Sequence, residues 1–199
     1  MSVWNRLDRA LVQRALHAPA EPEASPTKRR AAIAALLSDG DHGTELLLIR
    51  RAERPSDPWS GHMALPGGHF DPSDASLQAT AERETREELG IELSQGQFLG
   101  RLPEVRPHRS GDLSVTPFVF GLESRPPLVP NVEVDLALWV PLAELAAGTT
   151  RFEHELSLDG RSWRFPAFRV GEHVVWGLTY RVVNTLIELV TLESAQLSR

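Results

Sequence analysis

Cysteine is absent from all 199 residues. Its absence excludes disulfides, thiolate catalysis and cysteine-ligated zinc, and fits a reducing compartment. A surplus of positive charge is missing too. The formal net charge is −6 at pH 7, so neither a nucleic acid nor an anionic membrane meets long-range attraction at this surface. No apolar run reaches the ~20 residues of a membrane-crossing helix, and the N-terminus lacks the apolar segment of a signal peptide. No internal repeat is visible. The expected setting is the cytoplasm. What is present, 41% hydrophobic residues over this length, is most simply one globular domain with room for a proper core.

The most informative stretch is Leu65-Pro-Gly-Gly-His-Phe-Asp-Pro-Ser-Asp74, followed by Ala81-Glu-Arg-Glu-Thr-Arg-Glu-Glu-Leu-Gly-Ile91. It reads as a strand end, a glycine turn, a loop and an amphipathic helix stopped by Gly90. Glu82, Glu84, Glu87 and Glu88 crowd into two turns of that helix. Glu87 and Glu88 each lie within roughly 60° of Glu84 around the helix axis. Like charges at this spacing destabilise a bare helix by a few tenths of a kcal/mol per pair, and a bound cation reverses the sign. Oxygen-only ligands favour a hard ion, Mg2+ or Mn2+. With a Pro-Gly-Gly turn that lets backbone come close, the pattern points to phosphate-ester or pyrophosphate chemistry. The competing reading is a solvated helix face rich in Glu and Arg.

The same residues resemble the Nudix box, Gly-x5-Glu-x7-Arg-Glu-U-x-Glu-Glu-x-Gly-U, with U aliphatic. Gly68, Arg83, Glu84, Glu87, Glu88, Gly90 and Ile91 match in place. Asp74 stands where the first Glu is expected, eight residues rather than seven separate it from Arg83, and Thr85 fills the first aliphatic slot. The Asp and the extra residue are similar to the coenzyme A diphosphatase branch of the Nudix hydrolases. So are Val115-Thr-Pro-Phe-Val119, Asn131-Val-Glu-Val134 and Trp176-Gly-Leu-Thr179, which extend the resemblance from about residue 30 to 192. In the run before the box Gly61 matches that branch and Leu65 replaces Phe, but Asp57, Trp59 and His62 stand where it carries Arg, His and Gln.

The resemblance implies an α/β (α+β) Nudix fold, a mixed β-sheet sandwiched between α-helices. It also implies Mg2+- or Mn2+-dependent hydrolysis of a diphosphate linkage. Glu84, Glu87, Glu88 and the Gly68 carbonyl would hold the metal, Arg83 and Asp74 would support them, and Glu84, Glu87 or Glu133 would take the proton from water. The expected partner is a small nucleoside diphosphate derivative, coenzyme A or acyl-CoA first and ADP-ribose, NADH or nucleoside triphosphates next. No nucleic acid or membrane is expected, and homodimerisation stays open. A nucleotide-sensing module without catalysis is the alternative of another class. Such a sensor is expected to have lost one of the paired glutamates, and here none is lost.

Along the chain, Trp4, Leu7, Leu11, Val12 and Leu16 recur at helical spacing and predict a short helix docked on the domain. Arg6, Arg9 and Arg14 leave a cleavable presequence as the alternative, weakened by Asp8. Ala18 to Pro26, with three prolines, reads as a linker, so residues 1–27 are set apart from a catalytic domain at 28–199. Arg30–Leu37 and Glu45–Arg51 predict a hairpin, and Arg50, Arg51 and Arg54 at its end are candidate phosphate ligands. Trp59 is a candidate stacking surface for a base, and His62 reads as a polar strand-edge residue. Ser73 or Asp74 is the expected helix N-cap, with Ala75, Ala79, Thr85 and Leu89 facing inward. Strands are expected at 96–106 and 113–122, with Pro117 marking an edge or a bulge. The loop bearing His108 and Arg109 lies between them. A strand follows over Asn131–Pro141, then a short helix to Ala147. Strands at 152–158, 161–165 and 173–175 come next, the first two joined by Asp159-Gly160. A core-facing helix carries Leu178, Val182, Leu186 and Val190.

Overall fold

The computed structural model describes residues 3–16, 29–55, 59–107, 112–158 and 161–199. Its centre is made by the two runs richest in aliphatic residues, β1 (Arg29–Gly40) and β2 (Gly43–Arg51), which pair antiparallel with Leu37 opposite Leu46. β1 also runs parallel to β6 (Leu113–Gly121), and β2 pairs antiparallel with β7 (Val134–Pro141). The short strands β3 (Met63–Ala64) and β4 (Gly67–His69) and the edge strand β5 (Gln97–Arg101) complete a mixed seven-stranded sheet. Thr44 to Ile49 are buried without a break. A strand covered on both faces has no reason to alternate.

Helices cover both faces. Ala32, Ala34, Leu36, Leu47 and Ile49 pack with Leu77, Ala81 and Leu89 of α2 (Leu77–Leu89). Ala31, Ala35, Leu37, Leu46 and Leu48 point the other way, toward α1 (Arg9–Ala15), α3 (Leu142–Ala146) and α4 (Gly177–Leu197). This is the expected mixed sheet between helices. Trp4, Leu7, Leu11, Val12 and Leu16 are all buried in the second of these cores, and Asp8 caps α1 by accepting from the Leu11 N–H at 2.9 Å.

The structure corrects several local expectations. α2 is capped by Ser76, whose hydroxyl accepts from the Ala79 N–H, not by Ser73 or Asp74. Its buried face is Leu77, Thr80, Ala81, Thr85, Glu88 and Leu89, while Ala75 is exposed and Ala79 half-buried. Asp74 is engaged elsewhere, as described below. Pro117 sits inside β6, but the ladder with β5 stops at Phe118 and resumes only as the isolated Val105–Val115 bridge. The proline therefore falls in a gap of the ladder, where a missing N–H costs least. The last three strands, β8 (Arg151–Leu158), β9 (Arg161–Val170) and β10 (His173–Trp176), form a separate antiparallel sheet, and β9 runs five residues beyond the expected Phe165. Phe168 and Val175 bury against α4, with the Phe168 and Tyr180 rings 4.6 Å apart, so this sheet finds its core on a helix. Ala18–Pro26, Asp57, His108, Arg109 and the Asp159-Gly160 turn lie outside the described residues. Among the described residues no helix is long and apolar enough to cross a membrane.

Candidate active site

The glycine turn meets α2 at close range because neither glycine carries a side chain. Ala32 pairs with Gly68 across β1 and β4. A Cβ on Gly67 (φ +146°) would lie 2.2 Å from the Ala32 carbonyl oxygen, and one on Gly68 would lie 2.5 Å from the Glu84 carboxyl group. Gly67 thus lets the strand pair, and Gly68 makes room for the acid.

The loop that follows is tied by its own acids. Asp71 accepts from the Ser73 N–H at 2.8 Å and the Ser73 hydroxyl at 2.6 Å. Asp74 receives Arg83 Nε at 2.9 Å and Nη2 at 3.1 Å, plus the Thr80 hydroxyl at 2.8 Å. The Asp74 side chain is only 6% exposed. The Arg83 guanidinium, more than any other neighbour, holds its carboxyl well down, at about 2. The residue that departs from the box motif is therefore the anchor of Arg83.

Arg83 then reaches the other way. Its Nη1 donates to Glu84 Oε1 at 2.8 Å and Glu87 Oε2 at 3.1 Å, and its Nη2 to the His69 carbonyl at 3.2 Å. One side chain so fixes the loop, the turn and two carboxylates, and Asp74 first, then Glu84, hold its own pKa above the ordinary arginine value.

Glu88 does not share the open face that helical spacing alone assigns to it. It is 3% exposed, and its Oε2 accepts from the Gly67 N–H at 2.9 Å. Burial pushes its carboxyl up to about 8 against that hydrogen bond, and the charges of Glu84 and Glu133 push the same way. Glu84 is also raised, first by burial, and by Glu87 and Glu133 against the pull of Arg83. His69 is lowered by burial and by the cations of Arg29 and Arg51.

Glu133 arrives from far along the chain. The Asn131 N–H donates to the Glu88 carbonyl at 2.9 Å, the Glu133 N–H to Asn131 Oδ1 at 2.8 Å, and the Ala52 N–H to the Glu133 carbonyl at 2.8 Å. Its carboxylate pairs with Arg54 at 3.0 Å, both side chains about half exposed. Its charge acts on Glu84 and Glu88, so the fold gathers Glu84, Glu87, Glu88 and Glu133 beside the glycine turn. The three arginines at the end of β2 divide. Arg51 acts electrostatically on Glu88 and His69, toward the acids. Arg50 is ion-paired with Asp135 across the β2–β7 ladder, and Arg54 is held by Glu133. Trp59 lies on the turn beside this strand, 39% exposed.

Sequence reasoning missed Asp71, His69 and Asp135. The Asp-Pro-Ser turn signal is what could have found Asp71. Nothing local marks Asp135, which meets Arg50 only through strand register.

Among the described residues, no three acidic or imidazole side chains converge closely enough to hold a metal as they stand. Arg83 occupies the near edges of Glu84 and Glu87, and Glu88 is turned to Gly67. The donor set nevertheless fits a hard divalent ion. Glu84 and Glu87 converge on one cationic nitrogen, and burial makes Glu84 and Glu88 poor anions without a cation.

Comparison with known proteins bears on the family of the chain. A model of the NUDIX domain family matches residues 27–159. The Nudix hydrolase NudL of Photorhabdus laumondii is 33% identical over 150 residues, covering 72% of this chain and 76% of that protein. Its Yersinia pestis counterpart is 32% identical over 169 residues, covering 84% and 83%. The human mitochondrial coenzyme A diphosphatase NUDT8 is 34% identical over 149 residues, covering 72% of this chain and 62% of the human protein. Among solved structures, a MutT/nudix family protein from Enterococcus faecalis superposes with a TM-score of 0.57 at 18% identity, covering 88% of this chain and 66% of that one. A C. elegans Ap4A hydrolase binary complex reaches 0.52 at 18%, covering 85% and 98%. At those identities the structural likeness is one of fold. The sequence matches go further, and on them this chain belongs to the Nudix hydrolase family.

Proposed function

We propose that residues 28–199 form a diphosphatase that hydrolyses the diphosphate linkage of a nucleoside diphosphate derivative, with coenzyme A or acyl-CoA as the leading substrate. The products would be 4'-phosphopantetheine, or its acyl form, and adenosine 3',5'-bisphosphate. The observation that carries this reading is the gathering of Glu84, Glu87, Glu88 and Glu133 around the Gly67-Gly68 turn. The coenzyme A preference is supported by the likeness to NUDT8.

Glu84, Glu87, Glu88 and the Gly68 carbonyl would hold Mg2+ or Mn2+. Such an ion supplies positive charge for the phosphate oxygens and a lower pKa for nearby water. The residues of the chain do the rest. Arg83, anchored by Asp74, sets the spacing of Glu84 and Glu87. Arg51 and Arg54 offer cations to the phosphates as they approach. Water's oxygen adds to one phosphorus, the bond from that phosphorus to the bridging oxygen breaks, and two phosphate monoesters leave. Glu133 is the best placed of the candidate bases for water's proton, because Arg83 does not hold it and its exposed pair with Arg54 is of a weak kind. Glu84 and Glu87 remain the other two candidates.

Coenzyme A, ADP-ribose, NADH and nucleoside triphosphates, each supplied with Mg2+ and followed by mass spectrometry, separate the substrate classes. The second class, ADP-ribose or a dinucleotide, is favoured by Asp57, Trp59 and His62, which replace the residues of the coenzyme A branch. Glu87→Gln is expected to keep the fold, since the side chain is half exposed, and to cut turnover at least ~100-fold. Near-normal turnover in that variant would remove the metal assignment. Binding without cleavage of any of these compounds would favour a sensor.

A further inference from the structure

A chain of aromatic rings leads away from the acidic cluster, and the catalytic roles above leave it unused. It starts on the turn after β2. There the Gly61 N–H donates to the Arg51 carbonyl at 3.0 Å, the Arg51 N–H to the His62 carbonyl at 3.1 Å, and the His62 N–H to the Trp59 carbonyl at 3.3 Å. The Arg54 N–H donates to the Ser60 hydroxyl at 3.1 Å. The turn is thus fastened to the residue whose charge reaches Glu88 and His69. From it Trp59 projects, 39% exposed, its ring edge-on to His62 at 5.9 Å. The His62 ring lies 5.1 Å from Trp176, which precedes α4. Trp176 in turn lies 5.7 Å from His154 of β8 and 5.4 Å from Phe165 of β9. The Thr179 hydroxyl donates to the Met63 carbonyl at 3.0 Å and pins the start of α4 to β3. Two sheets that share no ladder are therefore joined at the edge of the site by rings, of which His62, His154, Phe165 and Trp176 are half-buried and Trp59 is the most open.

We propose that this strip, with Trp59 and His62 at its near end and Trp176 and His154 beyond, is the subsite for the nucleobase of the substrate. The inference rests on the diphosphatase reading and names what holds the end of the molecule that is not cleaved. Three observations favour a base over another occupant. The backbone of His62 is hydrogen-bonded to that of Arg51, whose charge reaches Glu88, so the near end of the strip adjoins the acids that would hold the diphosphate. Trp59 offers an indole on a braced turn, and ordered aromatic faces are what bases stack on. The strip mixes indole and imidazole rings, and a purely apolar chain laid across it would cover the half-buried His154 imidazole and return no hydrogen bond. A base returns donors and acceptors along its edge.

The test is calorimetric binding of adenosine 5'-(α,β-methylene)diphosphate, which cannot be split at its bridge. It is compared with the ribose analogue lacking the base and with an alkyl methylene-diphosphonate. Trp59→Ala is expected to weaken the adenosine probe about 5- to 150-fold, the range for losing one base–aromatic stack, and to leave the ribose probe unchanged. That unchanged binding also certifies the fold of the variant. Trp59→Phe, which keeps a ring, should restore most of the affinity, and His62→Ala should act in the same direction as Trp59→Ala. Equal weakening of the adenosine and ribose probes, or no weakening of either, overturns the proposal. So does a loss confined to the alkyl probe, which would assign the strip to an apolar chain. Failure of every probe to bind the unaltered protein would overturn the diphosphate reading itself, and this one with it.

Discussion

Replacing Asp74 by Ala tests the anchoring role of that residue most directly. In the folded protein its carboxyl is lowered from 3.8 to about 2, chiefly by the Arg83 hydrogen bond. At ~1.4 kcal/mol per unit this is about 2 kcal/mol of stability at neutral pH. A depressed carboxyl contributes its stability above the unfolded value and loses it as pH falls through the folded one. The contribution is therefore complete above about pH 5 and mostly gone by about pH 2. The substitution also strands the partly buried Arg83 and leaves the Thr80 hydroxyl without this acceptor. The expected loss at pH 7 is about 2–4 kcal/mol, or roughly 5–15 °C in Tm for a chain of this size. Urea unfolding followed by circular dichroism at pH 7 and again near pH 2.5 measures it. The gap between unaltered protein and variant should narrow by about 1–2 kcal/mol at the acid end. A gap that stays constant with pH, or one below ~0.5 kcal/mol at pH 7, which is ordinary surface scatter, would refute the anchor.

Further expectations concern the turn and the N-terminal segment. Gly67→Ala should destabilise the fold by about 2–5 kcal/mol, because its Cβ would meet the Ala32 backbone at 2.2 Å and φ is +146°. Thermal unfolding measures that loss. Gly68→Ala should cost less stability than Gly67→Ala, since the atoms nearest the new Cβ are the end of the Glu84 side chain at 2.5 Å rather than backbone, yet lower turnover by about 10- to 100-fold through the displaced carboxylate. Comparable Tm losses in both variants would contradict this division. Trp4→Ala should cost about 3–5 kcal/mol because Trp4 is 2% exposed within the core shared by α1 and α4. Chemical denaturation of the variant checks it, and a loss below 1 kcal/mol would mean that the segment contributes little to stability.

Features that depend on neighbours a few positions apart were legible in the amino-acid sequence. The period-3.6 pattern marked α2 and α4, the unbroken aliphatic runs marked β1 and β2, Gly90 marked the end of the acidic helix, and the spacing of Arg83, Glu84, Glu87 and Glu88 marked the box. Each follows from local backbone geometry. Which side chains meet followed from how the elements pack. Strand register placed Arg50 against Asp135, and the β2–β7 pairing brought Glu133 to Arg54 and within electrostatic reach of Glu84 and Glu88. Packing turned Glu88 from an open helix face to the Gly67 N–H, and docking of the second sheet brought Trp176 to His62. These partners lie dozens of residues apart, and a one-residue slip in register would exchange every one that depends on a ladder. The acids announced themselves in the sequence because a helix groups them, whereas their charges, their burial and their counter-ions belong to the assembled sheet.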